Sequence, residues 1–557
     1  MTTVVIMGNS LSANLAAAYI KKNNPQFEIV IIGPETVTNP IVGESLIEAS
    51  TEFFFDIGLG SYLEKEHFHK YSLSFYYKEH LNNPEDRRYA VHEGLSIPPM
   101  PSFQINRFTL IKKLINMNRD SGVRYIHSLV KNVNTLHYRQ HVVTYGEKEE
   151  SSVINADWVI DTTGRRRLLS RQHNLLKPAP VQRCAYWFRL ENFDRDFLNK
   201  ITMVKHFHKN YDYYYCTHHF FGVGNWIWLI PIKSEDNRDL ISIGITWRPD
   251  LYPHSIKSVE DFCEYVAKEH PAVTDLVKSG DIVDVNHYNN YFYQSAKLYS
   301  PEGWFIIADA GNTVDPLYSP GISFTTLQIH QVNAMLQRAE HTALDAEYVK
   351  ILEDCHQASF YTMQDTVARQ YEGMHDPYQM HVYVHAIATA YYHFLLPCWL
   401  ARYHTEPMGA KFLTKITNKA QEAIASLYEL IVDASKQVGP VPSEKIFNYV
   451  RWTINDKLWG SDEANIAKHI SRMLVIFVYH RFRVLRHAHW KNASKHMKII
   501  FADLFKAVIF RTVFHKKPLR KSFLIKLFLK GKIEFQLPMI LKERRQSMSA
   551  NVTEGDF

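Results

Sequence analysis

Residues 3–33 read TVVIMGNSLSANLAAAYIKKNNPQFEIVIIG. An apolar, β-branched run leads into a glycine turn, then a stretch with helical apolar spacing, then a second apolar run. This is a βαβ opening, and it commits the chain to parallel strands joined by a crossover helix. The turn, Gly8-Asn9-Ser10-Leu11-Ser12-Ala13, is a variant of the dinucleotide fingerprint G-x-G-x-x-G. In that fingerprint the first glycine makes the tight turn, the second admits the pyrophosphate, and the third packs helix on strand. Gly8 supplies the first, Ser10 replaces the second, and Ala13 stands at the third. Glu35, just past the second run, is the candidate for the ribose hydroxyls.

Two further strands close in the same manner. WVIDTTGRRR places Asp161 at a strand end, and WFIIADAGN does the same for Asp309. Ligands of open α/β sheets bind outside the carboxyl ends of the strands, so the turns at Gly8, Asp161 and Asp309 are placed to converge on one ligand. No second glycine fingerprint occurs, which leaves room for one dinucleotide site and no separate nicotinamide domain. Between these turns, CAYWFRLENF, NWIWLIPIK and LISIGITW alternate like strands of a sheet roofing a cavity. Beyond residue 345 the periodicity is helical.

The expected fold is therefore α/β: a Rossmann-like dinucleotide-binding domain interleaved with a β-sheet substrate domain, followed by an α-helical C-terminal domain. Residues 1–345 form the core, with 1–110, 150–180 and 296–345 mainly nucleotide-binding and 111–149 and 181–295 mainly sheet. Residues 346–545 form the helical region and 546–557 a disordered tail.

At 557 residues, 46% hydrophobic and 22% charged, the chain is long enough for two or three domains or one large core with appendages. Its five cysteines are scattered without a CxxC pair, which suits a reducing compartment. The N-terminus enters the first strand without a basic, apolar leader, so the expected location is cytoplasmic. The apolar run 382–402 is of membrane length but carries His385, His393 and Pro397, and a buried helix is the expectation. The net charge of +7 hides an asymmetry. Residues 466–532 hold 17 lysines and arginines against the single acid Asp503. That segment is either a helical domain with a solvated basic face or a docking surface for an acidic carrier protein or a membrane face. No reader motif accompanies the charge, so nucleic acid is not an expected partner. The histidines at 206, 208, 218 and 219 lack a third ligand at a telling distance and read as pocket or surface residues, with no metal expected. No G-x-S-x-G nucleophile motif is present.

Taken in order, several short motifs resemble the flavin-dependent halogenases, a branch of the FAD monooxygenases. They are the N-terminal turn, VGES (Val42–Ser45), QINR (Gln104–Arg107), DTTGR (Asp161–Arg165), WIWLIP (Trp226–Pro231), SIG (Ser242–Gly244) and ADAGNTVDPLYSPG (Ala308–Gly321). W-x-W-x-I-P is the most specific of these, although an apolar WIWLIP strand could also be core. The resemblance implies FAD reduced in trans by a separate flavin reductase, which accords with the missing nicotinamide domain. It implies that a bound halide intercepts the oxidant made from reduced flavin and dioxygen, and that hypohalous acid then reaches an electron-rich aromatic. That aromatic would be free or carried on an acyl-carrier protein. Trp226, Trp228 and Pro231 would wall the flavin from the substrate, and Lys70, five residues before Phe75, would hold or polarise the oxidised halogen. Lys65 and Lys78 compete for that role. Gly8, Ser10, Ala13, Glu35, Glu44, Ser45, Arg107, Asp309, Pro316, Gly321 and Ile322 would contact FAD, and Ser319 would belong to the catalytic loop.

The chain also departs from the pattern. Tyr318 stands where tryptophan-specific members carry a glutamate, so free tryptophan is not the expected substrate. The flag F-x-x-P-x-x-S-x-G is met at Pro316, Ser319 and Gly321, with Thr313 at the Phe position. Pro320 has no N–H, and the expectation is a halide nest short of one donor at Pro320–Gly321. The alternative function is a flavin hydroxylase of the same fold that uses no halide.

Overall fold

The computed structural model describes residues 1–35, 42–78, 89–93, 102–146, 150–201, 213–391 and 395–438. The chain divides into two compact units, 1–205 with 213–474 and 206–212 with 475–557, and every described residue belongs to the first. The basic segment 466–532, the tail 546–557, His206 and His208 lie outside the described residues.

Five parallel strands form the nucleotide sheet, in the order Trp304–Ile306, Trp158–Asp161, Thr3–Met7, Glu28–Gly33 and Arg124–His127. The three central strands are buried along almost their whole length, as expected of parallel strands covered on both faces. Leu11–Asn23 crosses over between the first two strands in sequence and packs against Arg107–Asp120 and Gly321–Ala339. The register aligns Met7 with Asp161 and Asp161 with Ile306, which brings three strand ends to one edge of the sheet.

The second sheet has seven strands, in the order Asp281–Tyr288, Cys184–Glu191, Asp239–Trp247, Asn225–Lys233, Thr217–Phe221, Leu73–Lys78 and Tyr89–Glu93. All neighbours are antiparallel except Thr217–Phe221 with Leu73–Lys78. The two sheets are interleaved more finely than the sequence suggests. Arg124–His127, within the 111–149 stretch expected beside the substrate, joins the parallel sheet, while Leu73–Lys78 and Tyr89–Glu93 leave the nucleotide segment for the seven-stranded sheet. A three-stranded meander, Val130–His137, Gln140–Tyr145 and Ser152–Ala156, lies between.

Four α-helices follow among the described residues: Ala346–Gly373, Pro377–Ala390, Leu396–Leu400 and Pro407–Val438. They are not an appendage. Val367, Tyr371, Met374, Met380, Tyr383 and Val384 share one apolar cluster with Phe75, Trp226 and Trp228 of the seven-stranded sheet. No helix among the described residues is long and apolar enough to cross a membrane.

Candidate active site

The nucleotide turn is set by backbone contact. Gly8 has φ +110°, and a Cβ there would stand 2.7 Å from the carbonyl oxygen of Thr162, so only glycine fits. Ser10 is the N-cap of the first helix, makes no side-chain cap bond, and no acid occupies the first turn. That helix end is left with partial positive charge and free amides, the arrangement that binds phosphate. Ala13 is fully buried against the sheet. Glu35 lies exposed just past the second strand, at the same sheet edge. Asp161 acts within its own turn. Its carboxylate accepts from Thr163 N–H at 2.8 Å and Leu169 N–H at 2.7 Å, which holds that turn against Gly8.

VGES and QINR meet. Gly43 has φ +97°, and a Cβ there would stand 2.8 Å from Arg107 Nη1, which donates to the Val42 carbonyl. Asn106 caps the Arg107 helix by accepting from Phe108 N–H at 3.1 Å, which explains why asparagine serves at this position. Arg107 Nε and Glu44 Oε2 are buried with no partner among the described residues. Burial pushes the Glu44 carboxyl up to about 7, with Ser242, Arg189 and Arg107 opposing. Asp309 is exposed just past the end of the strand Trp304–Ile306. Desolvation raises its carboxyl above the ordinary range, against the charges of Arg107 and Arg165. The uncapped helix end, the glycine cradle and the orphaned Arg107 and Glu44 atoms fit a dinucleotide with a polar ring system such as FAD.

Trp226 and Trp228 lie two apart on one strand and so share a face, with ring centroids 5.7 Å apart. The SIG motif is their seat: a Cβ on Gly244 would come within 2.1 Å of the Trp228 ring. Ser242 Oγ accepts from Trp228 Nε1 at 3.4 Å. Pro231 sits beyond the stretch paired with Thr217–Phe221, where its missing N–H leaves no gap in that ladder. Lys70 is buried, and its Nζ donates to Ser45 Oγ at 2.9 Å and to the Leu46 carbonyl at 2.8 Å. Burial brings its ammonium down to about 8, with Glu48 opposing. His219 pairs with Trp228 across the two strands. Its ring centroid is 5.4 Å from that of Trp226 and 5.0 Å from that of Phe75. Burial, with Lys70 adding, holds its imidazole down at about 3, so it stays neutral.

In the loop, Pro316 is exposed, and Tyr318 and Ser319 adopt positive φ, 70° and 56°. Ser319 N–H donates to the Pro316 carbonyl at 2.8 Å. Pro320 differs from the simple expectation of a broken nest. It is the N-cap of the helix Gly321–Ala339, whose first ladder bond runs from Phe324 N–H to the Pro320 carbonyl at 3.0 Å. The N–H groups of Gly321, Ile322 and Ser323 therefore have no acceptor in the helix ladder. Gly321 is exposed, no acid occupies the first turn, and Ser323 Oγ is buried without a partner among the described residues. Proline removes one donor at a position where three others follow in helical array.

No protein-family model matches the chain. Over 449 residues it is 26% identical to the flavin-dependent halogenase chlA of Dictyostelium discoideum, covering 74% of this chain and 73% of that protein. The chain is a homologue of the flavin-dependent halogenases. It is also 23% identical over 338 residues to the 1H-pyrrole-2-carbonyl-(peptidyl-carrier protein) chlorinase of Pseudomonas fluorescens, covering 58% of this chain and 72% of that one. Its fold is shared with the crystal structure of halogenase PltM in complex with phloroglucinol and FAD: TM-score 0.61 at 17% identity, covering 81% of this chain and 94% of that one.

Two residues around this site were not singled out from the sequence. Arg165, whose charge favours the Asp309 carboxylate, sits unremarked in the quoted DTTGR. Gln370, whose Oε1 accepts from the Tyr318 hydroxyl at 3.0 Å, lies 52 residues away in a helix with no motif.

Proposed function

We propose that the protein uses reduced FAD, dioxygen and a halide to halogenate an electron-rich aromatic of phenol or pyrrole type. The cofactor supplies the two-electron oxidant, and a separate flavin reductase supplies the reduced cofactor. The single observation that carries the reading is the placement of Lys70. It is a buried cation held at Ser45 and Leu46, and Ser45 Oγ lies 3.0 Å from Thr217 Oγ1, at the start of the strand that pairs with the tryptophan strand. From there its ammonium can donate a hydrogen bond or a proton to an oxidised halogen that has left the cofactor side. Trp226 and Trp228 keep substrate off the cofactor, and the amides of Gly321, Ile322 and Ser323 favour an anion. Tyr318 fills the position beside Phe75, ring centroids 6.1 Å apart, with a neutral side chain. That chemistry suits a hydroxylated or pyrrolic ring better than the ammonium and indole of tryptophan.

The relatives are named as halogenases, which supports halogenation over hydroxylation. Whether the aromatic is free or tethered to a carrier protein, and whether segment 466–532 docks that carrier or an anionic membrane, are parts of the same proposal. The test is mass spectrometry of products formed from a phenol and pyrrole panel with reduced FAD, dioxygen and bromide or chloride. Halogen isotope patterns that vanish in Lys70→Ala are expected. Products carrying only oxygen, with Lys70→Ala still active, would replace the proposal with the hydroxylase alternative.

A further inference from the structure

Tyr371, in the helix Ala346–Gly373, bonds to both halves of the site. Its hydroxyl donates to Asp315 Oδ2 at 2.7 Å and accepts from Trp226 Nε1 at 3.0 Å. Asp315 also takes Arg183 Nε on the same oxygen at 3.1 Å and Leu317 N–H on Oδ1 at 3.1 Å. The Arg183 guanidinium lies 4.0 Å from the Tyr371 ring centroid. Trp226, Tyr371, Asp315 and Arg183 are all buried, so none of these bonds competes with bulk water. Gln370, the preceding residue of the helix, takes the Tyr318 hydroxyl. Leu317 is followed directly by Tyr318 and Ser319, the two residues at positive φ. Such backbone persists at non-glycine residues only where its surroundings over-determine it. Here two consecutive helix residues supply that restraint.

We propose that Tyr371 is a positioning residue that locks the Trp226 indole and the loop 315–319 into one unit. The spacing between the tryptophan face and the anion-accepting helix end is then fixed by the C-terminal helices, not by either motif alone. A single phenolic oxygen suits this role because it donates and accepts at once, which phenylalanine cannot do. The catalytic consequence rests on the halogenase reading; the structural restraint does not.

The test uses FAD-loaded full-length protein and Tyr371→Phe, which keeps the ring beneath Arg183. Hydrogen exchange of a peptide spanning 313–320 is expected to speed at least tenfold. Halogenated product per reduced FAD oxidised is expected to fall at least fivefold, with FAD affinity unchanged. Trp226→Phe severs the other side of the bridge and keeps the Tyr371–Asp315 bond. The double variant is expected to lose no more coupling than the worse single variant. Exchange and coupling both within twofold of wild type, whatever the melting temperature, would overturn the proposal, as would losses that multiply in the double variant. Wild type yielding no halogenated product would defeat the functional reading, and loop exchange would still decide the restraint.

Discussion

Replacing Lys70 by methionine separates the cost of a buried cation from its use. Burial brings the ammonium from 10.5 down to about 8, and each tenfold weakening of proton binding corresponds to about 1.4 kcal/mol. Holding the charge in place at neutral pH therefore costs the fold about 3 kcal/mol. Methionine keeps the stem and removes the charge, but it leaves the Leu46 carbonyl without its donor, which costs about 1–3 kcal/mol. Ser45 Oγ keeps a partner in Thr217 Oγ1 at 3.0 Å. The net expectation at pH 7 is a stability unchanged or raised by up to about 2 kcal/mol, read from urea unfolding of apo-protein. Linkage gives a second signature. Between pH 8 and 10.5 the unfolded chain binds the Lys70 proton and the folded chain does not, so stability contributed at this site rises with pH. The wild type should gain on Lys70→Met across that window by about 3 kcal/mol. Meanwhile halogenated product should fall at least a hundredfold while reduced FAD is still oxidised, since the cofactor contacts proposed at Gly8, Arg107 and Asp309 are untouched. Wild-type halogenation should decline above pH about 8 as the ammonium is lost. Product formation within threefold of wild type would refute the assigned role. A stability loss above about 2 kcal/mol at pH 7 would refute the electrostatic argument.

Glu44 titrates in the opposite sense. Its folded carboxyl sits near 7, above its ordinary 4.5, so its contribution is lost as pH rises between those values, and Glu44→Gln should stabilise apo-protein at pH 8 by about 3 kcal/mol but not at pH 4.5. Gly244→Ala places a Cβ 2.1 Å from the Trp228 ring and should displace that tryptophan, seen as altered near-ultraviolet circular dichroism together with loss of halogenation. Pro320→Ala returns an N–H to the N-cap and should lower the bromide KM about tenfold, the yield of one charge-assisted bond; an unchanged KM would show that the three following amides suffice. Asn106→Ala should cost about 2 kcal/mol or more in urea unfolding, because it removes both the cap acceptor for Phe108 N–H and the Nδ2 donor to the Lys233 carbonyl at 2.9 Å, and Asn106→Asp, which restores only the cap and sets a carboxylate against that carbonyl, should not recover it.

Much of this was legible in the chain itself. Continuous apolar runs, the Gly8 turn and the strand-end acids determined a parallel sheet with Gly8, Asp161 and Asp309 gathered at its carboxyl edge. These features depend on neighbours in sequence: strand burial, positive φ at glycine and helix spacing are local properties. The order of short motifs determined the family resemblance. Three matters waited for tertiary structure. Lys70 was singled out from Lys65 and Lys78 by its place five residues before Phe75, but its burial and its bonds to Ser45 and Leu46 came only with the fold. Pro320 read as a missing donor until the helix start at Gly321 showed three amides behind it. Tyr371 reaches Trp226 across 145 residues, and nothing near it in sequence records that contact. Hydrogen bonds and desolvation act through space, so the side chains that join the two sheets to the C-terminal helices are written only in the fold.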